Sequence, residues 1–397
     1  MKKRLINFKF IMTIAIIEIL CYMAVDMYLA SMTDISEYFG TSYSKVQLSL
    51  TFYLFAMGIG QLFFGPIIDF FGRKIPLILG ISLYALCSFA ITTSSNIELF
   101  LLYRVVQGLG VALIYVCLIS MVRDVSKGKV AAKIFAILIT IGAITPILAP
   151  AIGGYIDQVF GWKAVFYLLF ILAILVVVLS LFTLQETLKK EKKVTIDFKN
   201  IFIIYSNIIK NNNFLIQAIA TCLMYMFGYI AGASYSYKEI YNLDSKTFGL
   251  VFGATGSALL FGALLSTKLL EVLNMKQLSI SGSAIIIFGS IISFISSNID
   301  MIGLDGIVIG FFISFFGLGL AEASLFSIAM SSQKTSLGST AALLGSLQLL
   351  LPATSTLVAG YLVETSIFYW LGFLFILSIL SFIFTMIVFK NSKILSV

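Results

Sequence analysis

Residues 65–74 read GPIIDFFGRK, a short charged stretch between two long apolar runs. No charged side chain occurs in residues 46–68, which precede Asp69, or in residues 75–97, which follow Lys74. Each run has the roughly 20 residues that a helix needs to cross the hydrocarbon core of a bilayer. The pattern therefore predicts two membrane-spanning helices joined by a short charged hairpin.

The hairpin residues favour a specific conformational role. Gly65 and Gly72 permit close backbone approach, and Asp69 is able to pair with a helix N-terminus or a basic neighbour. A simpler interpretation is that Arg73 and Lys74 only mark a cytoplasmic loop, because such loops are enriched in Lys and Arg. The spaced glycines and Asp69 favour the conformational role over this interpretation.

The composition is that of a membrane protein. Hydrophobic residues make up 60% of the 397 and charged residues 11%, whereas about a quarter of a soluble domain is charged. We therefore predict an all-α polytopic membrane protein. Counting the apolar runs gives twelve transmembrane helices, at residues 8–32, 46–70, 75–96, 98–121, 131–156, 163–184, 214–236, 247–270, 277–298, 302–330, 338–362 and 367–389.

The longest polar segment, residues 185–213, separates the first six spans from the last six. Its six lysines are Lys189, Lys190, Lys192, Lys193, Lys199 and Lys210. Two equal sets of spans are typical of an internal duplication. We predict an N-terminal six-helix bundle at residues 1–184, a cytoplasmic linker at 185–213 and a C-terminal six-helix bundle at 214–397.

The distribution of Lys and Arg predicts the topology. With both termini inside, 21 of the 26 basic residues are cytoplasmic, four lie opposite (Lys45, Lys163, Lys238 and Lys246) and Arg104 lies in a span. Positive charge concentrates on the cytoplasmic side of membrane proteins. The bias predicts a membrane protein with both ends in the cytoplasm, and it explains the net charge of +8 without a nucleic-acid partner. The abundance of Ile, Lys and Asn indicates a bacterial source, so we expect the bacterial inner membrane.

Enzymatic and metal-binding roles find little support. The chain has no His, and its four cysteines lie in apolar runs without the spacing of metal ligands. We predict a protein that is not an enzyme, holds no metal and needs no cofactor, with protons as the coupling ion. Its expected partners are a small-molecule substrate and the bilayer, and we expect a monomer.

Charged side chains inside the membrane are costly and are therefore candidates for function. The four candidates for proton coupling are Glu18, Asp26, Arg104 and Glu322. Asp26 stands out because Met27 and Tyr28, which follow it, suit a binding cavity. Glu18 lies eight residues earlier, about 12 Å along a helix and about 80° around it, so both acids can face one cavity.

Two interpretations of Asp26 remain open at this level. Removal from water makes a carboxylate hold its proton more tightly, so Asp26 would load and release a proton in exchange for substrate. Alternatively, Asp26 and Arg104 form a buried structural ion pair. Glu322 is either a second proton site or a hydrogen-bonded structural residue.

Two further segments suggest conformational roles. Residues 104–110 place Arg104, a fixed charge, next to Gln107 and Gly108, where glycine permits close helix packing. Span five combines two helix-bending prolines, Pro146 and Pro150, with two adjacent small residues, Gly153 and Gly154. Such a pliable, close-packed contact would help seal one side of a transporter.

Together these segments resemble the major facilitator superfamily. Residues 65–74 resemble its loop between spans two and three, residues 104–110 its span-four proton-transfer segment, and residues 142–154 the span-five segment of its twelve-span drug exporters. Residues 26–29, 121–124 and 149–154 resemble the Bcr/CflA drug-resistance family. The acids of span one together with Arg104 resemble multidrug facilitators of the MdfA type.

The resemblance implies the major facilitator fold and proton-coupled efflux of chloramphenicol-like, bicyclomycin-like or several drugs by alternating access. It implies proton coupling at Asp26 with Glu18 assisting. A pocket lined by Met27, Tyr28 and the span-seven residues Tyr225 and Tyr229 would bind the drug. Two alternatives are export of an endogenous metabolite or siderophore and, with less support from span five, proton-coupled uptake.

Overall fold

The computed structural model describes residues 8–126, 128–188, 198–222, 224–299, 302–331 and 337–391, and the regular structure in these residues is helical. The helices are α1 (Phe8–Asp26), α2 (Met32–Phe39), α3 (Tyr43–Phe71), α4 (Lys74–Thr92), α5 (Ile97–Val125), α6 (Gly128–Phe160), α7 (Trp162–Thr183), α8 (Phe198–Ile209), α9 (Asn212–Ala220), α10 (Met224–Tyr235), α11 (Ser245–Leu269), α12 (Met275–Ser296), α13 (Gly303–Ser331), α14 (Leu337–Thr365) and α15 (Ile367–Asn391).

Twelve helical stretches in the described part of the chain are long and apolar enough to cross a membrane. They follow the predicted order, and α1 with α2 forms span one at Phe8–Phe39. Span seven covers Asn212–Ile240 and includes α9 and α10. The prediction of an all-α membrane protein with twelve transmembrane helices is therefore confirmed.

The chain divides into two compact units, Met1–Asn200 and Ile201–Val397. Residues 189–197 of the predicted linker, with four of its lysines, lie outside the described residues. Later residues of the predicted linker form helix α8 (Phe198–Ile209), which was not predicted from the sequence. The exact bundle and linker boundaries stay a prediction.

Small residues bring the helices of each unit together. In the first unit, Gly108 of α5 lies against the backbone of Tyr53 in α3. In the second unit, Gly289 of α12 lies against the carbonyl group of Gly310 in α13, and Gly282 lies against that of Gly317. Lipid tails are as apolar as the helix surfaces, so the hydrophobic effect does not drive helices together inside a membrane. Close van der Waals packing at small residues stabilises their association instead.

Spans one and seven are both interrupted. Span one leaves α-helical geometry after Asp26, and a 3₁₀ turn at Leu29–Ser31 leads into α2. Span seven is interrupted at Thr221 and Cys222, between α9 and α10. Discontinuous spans free backbone groups for binding and are common at the binding sites of transporters.

Candidate functional site

The two acids of span one lie on the continuous helix α1. Glu18 is 5% exposed and Asp26, its last residue, is 4% exposed. Among the described residues neither carboxylate has a hydrogen bond or an ion pair. The structure thus holds two buried acids on one helix without the partner that normally compensates a buried charge.

The helix interruption next to Asp26 is packed against span five. Gly153 of α6 lies so close to the carbonyl group of Met27 that a methyl group at this position would collide with it. Gly154 and Pro150 are also buried, and α6 continues through both Pro146 and Pro150. The glycine predicted to give a close-packed contact therefore makes one, and its partner is the backbone just after Asp26.

Arg104 is fully buried beside this interruption. Its Nη1 donates to the carbonyl oxygen of Ala24 at 3.1 Å and to Oε1 of Gln107 at 2.5 Å. Gln107 in turn donates to Ser88 Oγ at 2.8 Å. Arg104 forms no ion pair with Asp26, so the interpretation of these two residues as a structural ion pair is wrong for this structure.

Two tyrosine rings enclose the Arg104 guanidinium. Its Cζ lies 4.4 Å from the ring centroid of Tyr28 and 4.4 Å from that of Tyr53. Both rings attract the cation through their π-electrons, while Nε and Nη2 have no hydrogen-bond acceptor. The analysis of the sequence missed Tyr53, because nothing in an apolar run shows which ring faces a cation two helices away.

Met27 and Tyr28, the two residues of span one that were predicted to bind substrate, pack against other protein groups in this structure. Met27 and Tyr28 are fully buried, and the Tyr28 hydroxyl is 3.2 Å from Ser49 Oγ. In this structure Tyr28 supports Arg104, and its contact with a substrate stays a prediction.

The α3–α4 hairpin is held by a compact network around Arg73. The guanidinium contacts Asp69 at 2.7 Å and Asp124 at 3.1 Å, and it donates to the carbonyl oxygen of Ile68 at 2.6 Å. Arg73 is 6% exposed, so these contacts are partly shielded from water. Asp124 lies at the end of α5, and the network therefore ties three helices of the first unit together.

Glu186, just beyond span six, completes the hairpin. Its carboxylate accepts hydrogen bonds from the backbone N–H groups of Arg73 and Lys74, at 2.9 and 3.1 Å, where α4 begins. Lys74 Nζ donates to the carbonyl oxygen of Leu181 at 2.9 Å. A negative group at a helix N-terminus satisfies unpaired donors and complements the helix dipole. An acid directly after a span was the available signal for this role.

The two hairpin glycines differ. Gly72 has φ +101°, a left-handed value, and a side chain there would collide with Glu186. A Cβ at Gly65 has no neighbour within 4 Å among the described residues, so the close approach expected at Gly65 is not present in this structure.

The remaining predicted residues belong to the second unit. Tyr225 donates to Ser314 Oγ at 2.9 Å, and the Tyr229 ring lies 4.5 Å from that of Phe311. Both tyrosines are buried, and their predicted substrate contact stays untested. Glu322 of α13 lines a small cavity. Within the described residues, no group of three Cys, Asp or Glu side chains could hold a metal ion.

Comparison with known proteins places the chain in a family. A sequence profile described as Major Facilitator Superfamily matches residues 14–350. The uncharacterized MFS-type transporter YdgK of Bacillus subtilis (strain 168) is 32% identical over 353 residues, or 87% of each chain. The bicyclomycin resistance protein homolog of Haemophilus influenzae is 31% identical over 272 residues, or 66% of each chain.

A solved structure supports the same fold. The crystal structure of a D-xylose-proton symporter matches with a TM-score of 0.75 at 15% identity, over 96% of this chain and 97% of that one. At this identity the likeness concerns the fold alone, and it confirms the predicted major facilitator fold. The chain therefore belongs to the major facilitator superfamily and is a multi-pass bacterial membrane protein that acts on small-molecule substrates.

Proposed function

We propose that this protein exports drugs in exchange for protons. The observation that carries the proposal is the pair of buried carboxylates in span one, Glu18 and Asp26, which lack a partner among the described residues. The similarity to a protein named as a bicyclomycin resistance homolog supports a drug of that kind as substrate. The resemblance of the span-five segment to drug exporters extends the expected range to chloramphenicol and further compounds.

Asp26 is the main coupling residue in this proposal. A buried carboxylate without a counter-charge is most stable with its proton. A cationic or polar drug, or water entering with it, stabilises the charged form and displaces the proton. Proton and drug then compete for one group, which is the requirement for exchange. Glu18, about two turns earlier on the same helix, assists.

Arg104 sets the electrostatic environment of the exchange. Its guanidinium stays charged at any physiological pH, and it donates to the carbonyl oxygen of Ala24, two residues before Asp26. Two tyrosine rings and Gln107 hold the cation although no carboxylate neutralises it. Arg104 therefore favours the release of the Asp26 proton once water or a drug has opened the site.

The hairpin has the conformational role in this scheme. Alternating access requires the two bundles to move as bodies, and the Asp69–Arg73–Asp124 network with Glu186 holds α3, α4 and α5 as one body. We assign Asp69, Arg73 and Lys74 to stabilising the outward-open state. Gly108 and Gly153 make close contacts within the first bundle, and we propose that span five, which Pro146 and Pro150 make pliable, helps to seal one side of the transporter.

The proposal also covers the localisation, topology and oligomeric state of the protein. We place it in the inner membrane with both termini in the cytoplasm, because 21 of its 26 basic residues then lie inside. We propose a monomer that needs no cofactor beyond the proton, binds no nucleic acid and catalyses no chemical reaction.

The direction of coupling is tested in proteoliposomes with an imposed proton gradient. Radiolabelled chloramphenicol or bicyclomycin should accumulate in vesicles with an acidic lumen, because outward proton flow drives drug inward through an exchanger. Accumulation only in vesicles with an acidic exterior would show a symporter. No movement of either compound under either gradient would contradict drug efflux and favour a metabolite exporter. Asp26→Asn should lose the accumulation driven by an acidic lumen, whereas Asp305→Asn, a carboxylate change at the exposed start of α13, should retain it.

A further inference from the structure

The second unit contains a small cavity beside the interruption of span seven. The cavity has a volume of about 10 Å³, room for about one water-sized ligand, and is lined by Thr221 and Cys222 of the interruption, Ser283 of α12, Glu322 of α13 and Ser381 of α15. Sites for drug-sized molecules measure about 300–1,000 Å³ and bury most of the ligand. This cavity is therefore suited to a smaller ligand, such as an ion.

The hydroxyl groups of the cavity present oxygen lone pairs. Thr221 Oγ1 donates its hydrogen to the carbonyl oxygen of Ala218 at 2.7 Å. Ser283 Oγ donates to the carbonyl oxygen of Ser279 at 2.9 Å and also lies 3.1 Å from Thr385 Oγ1. A hydroxyl group whose hydrogen is engaged can only accept a hydrogen bond or coordinate a cation through its oxygen. Both groups therefore favour a ligand that is positively charged or that donates a proton.

The interruption of span seven adds negative potential. Helix α9 ends at Ala220, which also lines the cavity, and the C-terminal end of a helix carries a partial negative charge. Carbonyl oxygens at such half-helix ends coordinate cations in other discontinuous transporter helices.

Among the described residues, Glu322 is the only formally charged side chain that lines the cavity, and it has no hydrogen bond or ion pair with any of them. Cys222 is the other titratable group there. Helix α9 has no charged residue. The charged groups on the other helices of this unit that pack around α13 do not line the cavity: Lys246 and Lys268 of α11, Lys276 of α12, Glu364 of α14 and Lys390 of α15.

We propose that Glu322, Ser283, Ser381 and the interruption at Thr221 form a monovalent-cation site, occupied by a proton or by Na⁺. One carboxylate with neutral oxygen ligands balances a single positive charge, whereas divalent cations usually require more than one carboxylate or several waters. A proton on Glu322 would satisfy the same acceptor oxygens as a sodium ion, so the two exclude each other. The site stands on the second unit alone and goes beyond the proposed drug exchange at Asp26.

The test uses the purified full-length protein in detergent without any drug. Sodium chloride is added to a weakly buffered sample, with choline chloride as the ionic-strength control, and proton release is followed with a pH dye. Wild type and Asp305→Asn, a carboxylate change at the exposed start of the same helix, should release a proton on Na⁺ addition. Glu322→Gln should lose this release, and Ser381→Ala should shift it to higher Na⁺ concentration.

A second measurement separates the two cations. If Na⁺ releases no proton, acid–base titration between about pH 5 and 9 should still show one proton fewer bound by Glu322→Gln than by wild type, which identifies a proton-only site. Equal Na⁺ response and equal titration of wild type and Glu322→Gln would overturn the proposal. Glu322→Ala, which also removes the carboxylate, serves as the test variant if Glu322→Gln does not fold. Because no drug is present, the outcome is independent of whether the drug-export proposal holds.

Discussion

The two units of this transporter carry their charges in different ways. The first has two buried acids, a buried arginine and the Asp69–Arg73–Asp124 network. In the second, Glu322 is the charged side chain that lines the small cavity beside the interruption of span seven. Both units begin with an interrupted span, but the difference shows that this common feature does not require the same charged side chains around it. In our proposal drug exchange is concentrated in the first unit.

The corresponding hairpins show the same contrast. The α3–α4 hairpin relies on a left-handed glycine, Gly72, and on Glu186 from a distant part of the chain. The α11–α12 hairpin is closed locally, by a capping box in which Asn274 and Gln277 bond each other's backbone. A local cap holds one helix end, whereas a distant cap couples the hairpin to span six. In our proposal the first hairpin is therefore the one that transmits movement between helices.

The largest effect is expected at Arg104. Arg104→Met should abolish proton-coupled transport while leaving the melting temperature in detergent unchanged or higher, because replacing an unneutralised buried charge by an apolar side chain is often stabilising. Transport assays and thermal unfolding of the same preparations check this. Retained transport in Arg104→Met would show that the fixed charge is dispensable. It would contradict the proposal that the buried charges of the first unit carry out drug exchange.

Glu186→Ala should destabilise the first hairpin by about 1.5–3 kcal/mol, since two backbone donors at the start of α4 lose a charged acceptor. The matched change in the second hairpin, Asn274→Ala, should cost about 1 kcal/mol. Denaturant unfolding of both variants measures the difference. An equal or larger cost for Asn274→Ala would contradict the distinction between a distant and a local cap.

Gly153→Ala should cost about 1–3 kcal/mol because the added methyl group meets the carbonyl group of Met27. Gly65→Ala is the matched control, and it should be neutral or stabilising by about 0.5–1 kcal/mol because the site is open and alanine favours a helix. Thermal unfolding in detergent distinguishes the two. Similar melting temperatures for both variants would mean that the backbone around Met27 moves to accept the added methyl group at little cost, and would contradict the prediction.

The smallest effect is expected at Asp244, the N-cap of α11 in the second unit. Hydrogen bonds from the Thr247 backbone, followed by its hydroxyl, lower the pKa of Asp244. The stabilisation is therefore present above the unfolded pKa of about 3.9 and is lost as the pH falls through the lower, folded value. Asp244→Ala should cost about 1 kcal/mol at pH 7, and the difference from wild type should shrink below about pH 4. A melting-temperature difference that does not depend on pH would contradict this.

Hydropathy was sufficient to predict the twelve spans, because a bilayer imposes both the length and the composition of a spanning helix. The cost of buried charge likewise identified Glu18, Asp26 and Arg104 before any contact was known. The interruptions at Met27–Tyr28 and Thr221–Cys222 were missed, since neither contains the Pro or Gly that usually marks a break. Tyr53 and Glu186 were missed because their partners, Arg104 and the start of α4, are 51 and 112 residues away in the chain respectively.

Drug-induced proton release from the purified protein tests the central claim most directly. Wild type, Asp26→Asn and Glu18→Gln are mixed with chloramphenicol or bicyclomycin in weakly buffered detergent, and released protons are counted with a pH dye. The account predicts release from wild type near neutral pH, weaker release from Glu18→Gln and none from Asp26→Asn. Unchanged release from Asp26→Asn would contradict the assignment of Asp26 as the group for which drug and proton compete.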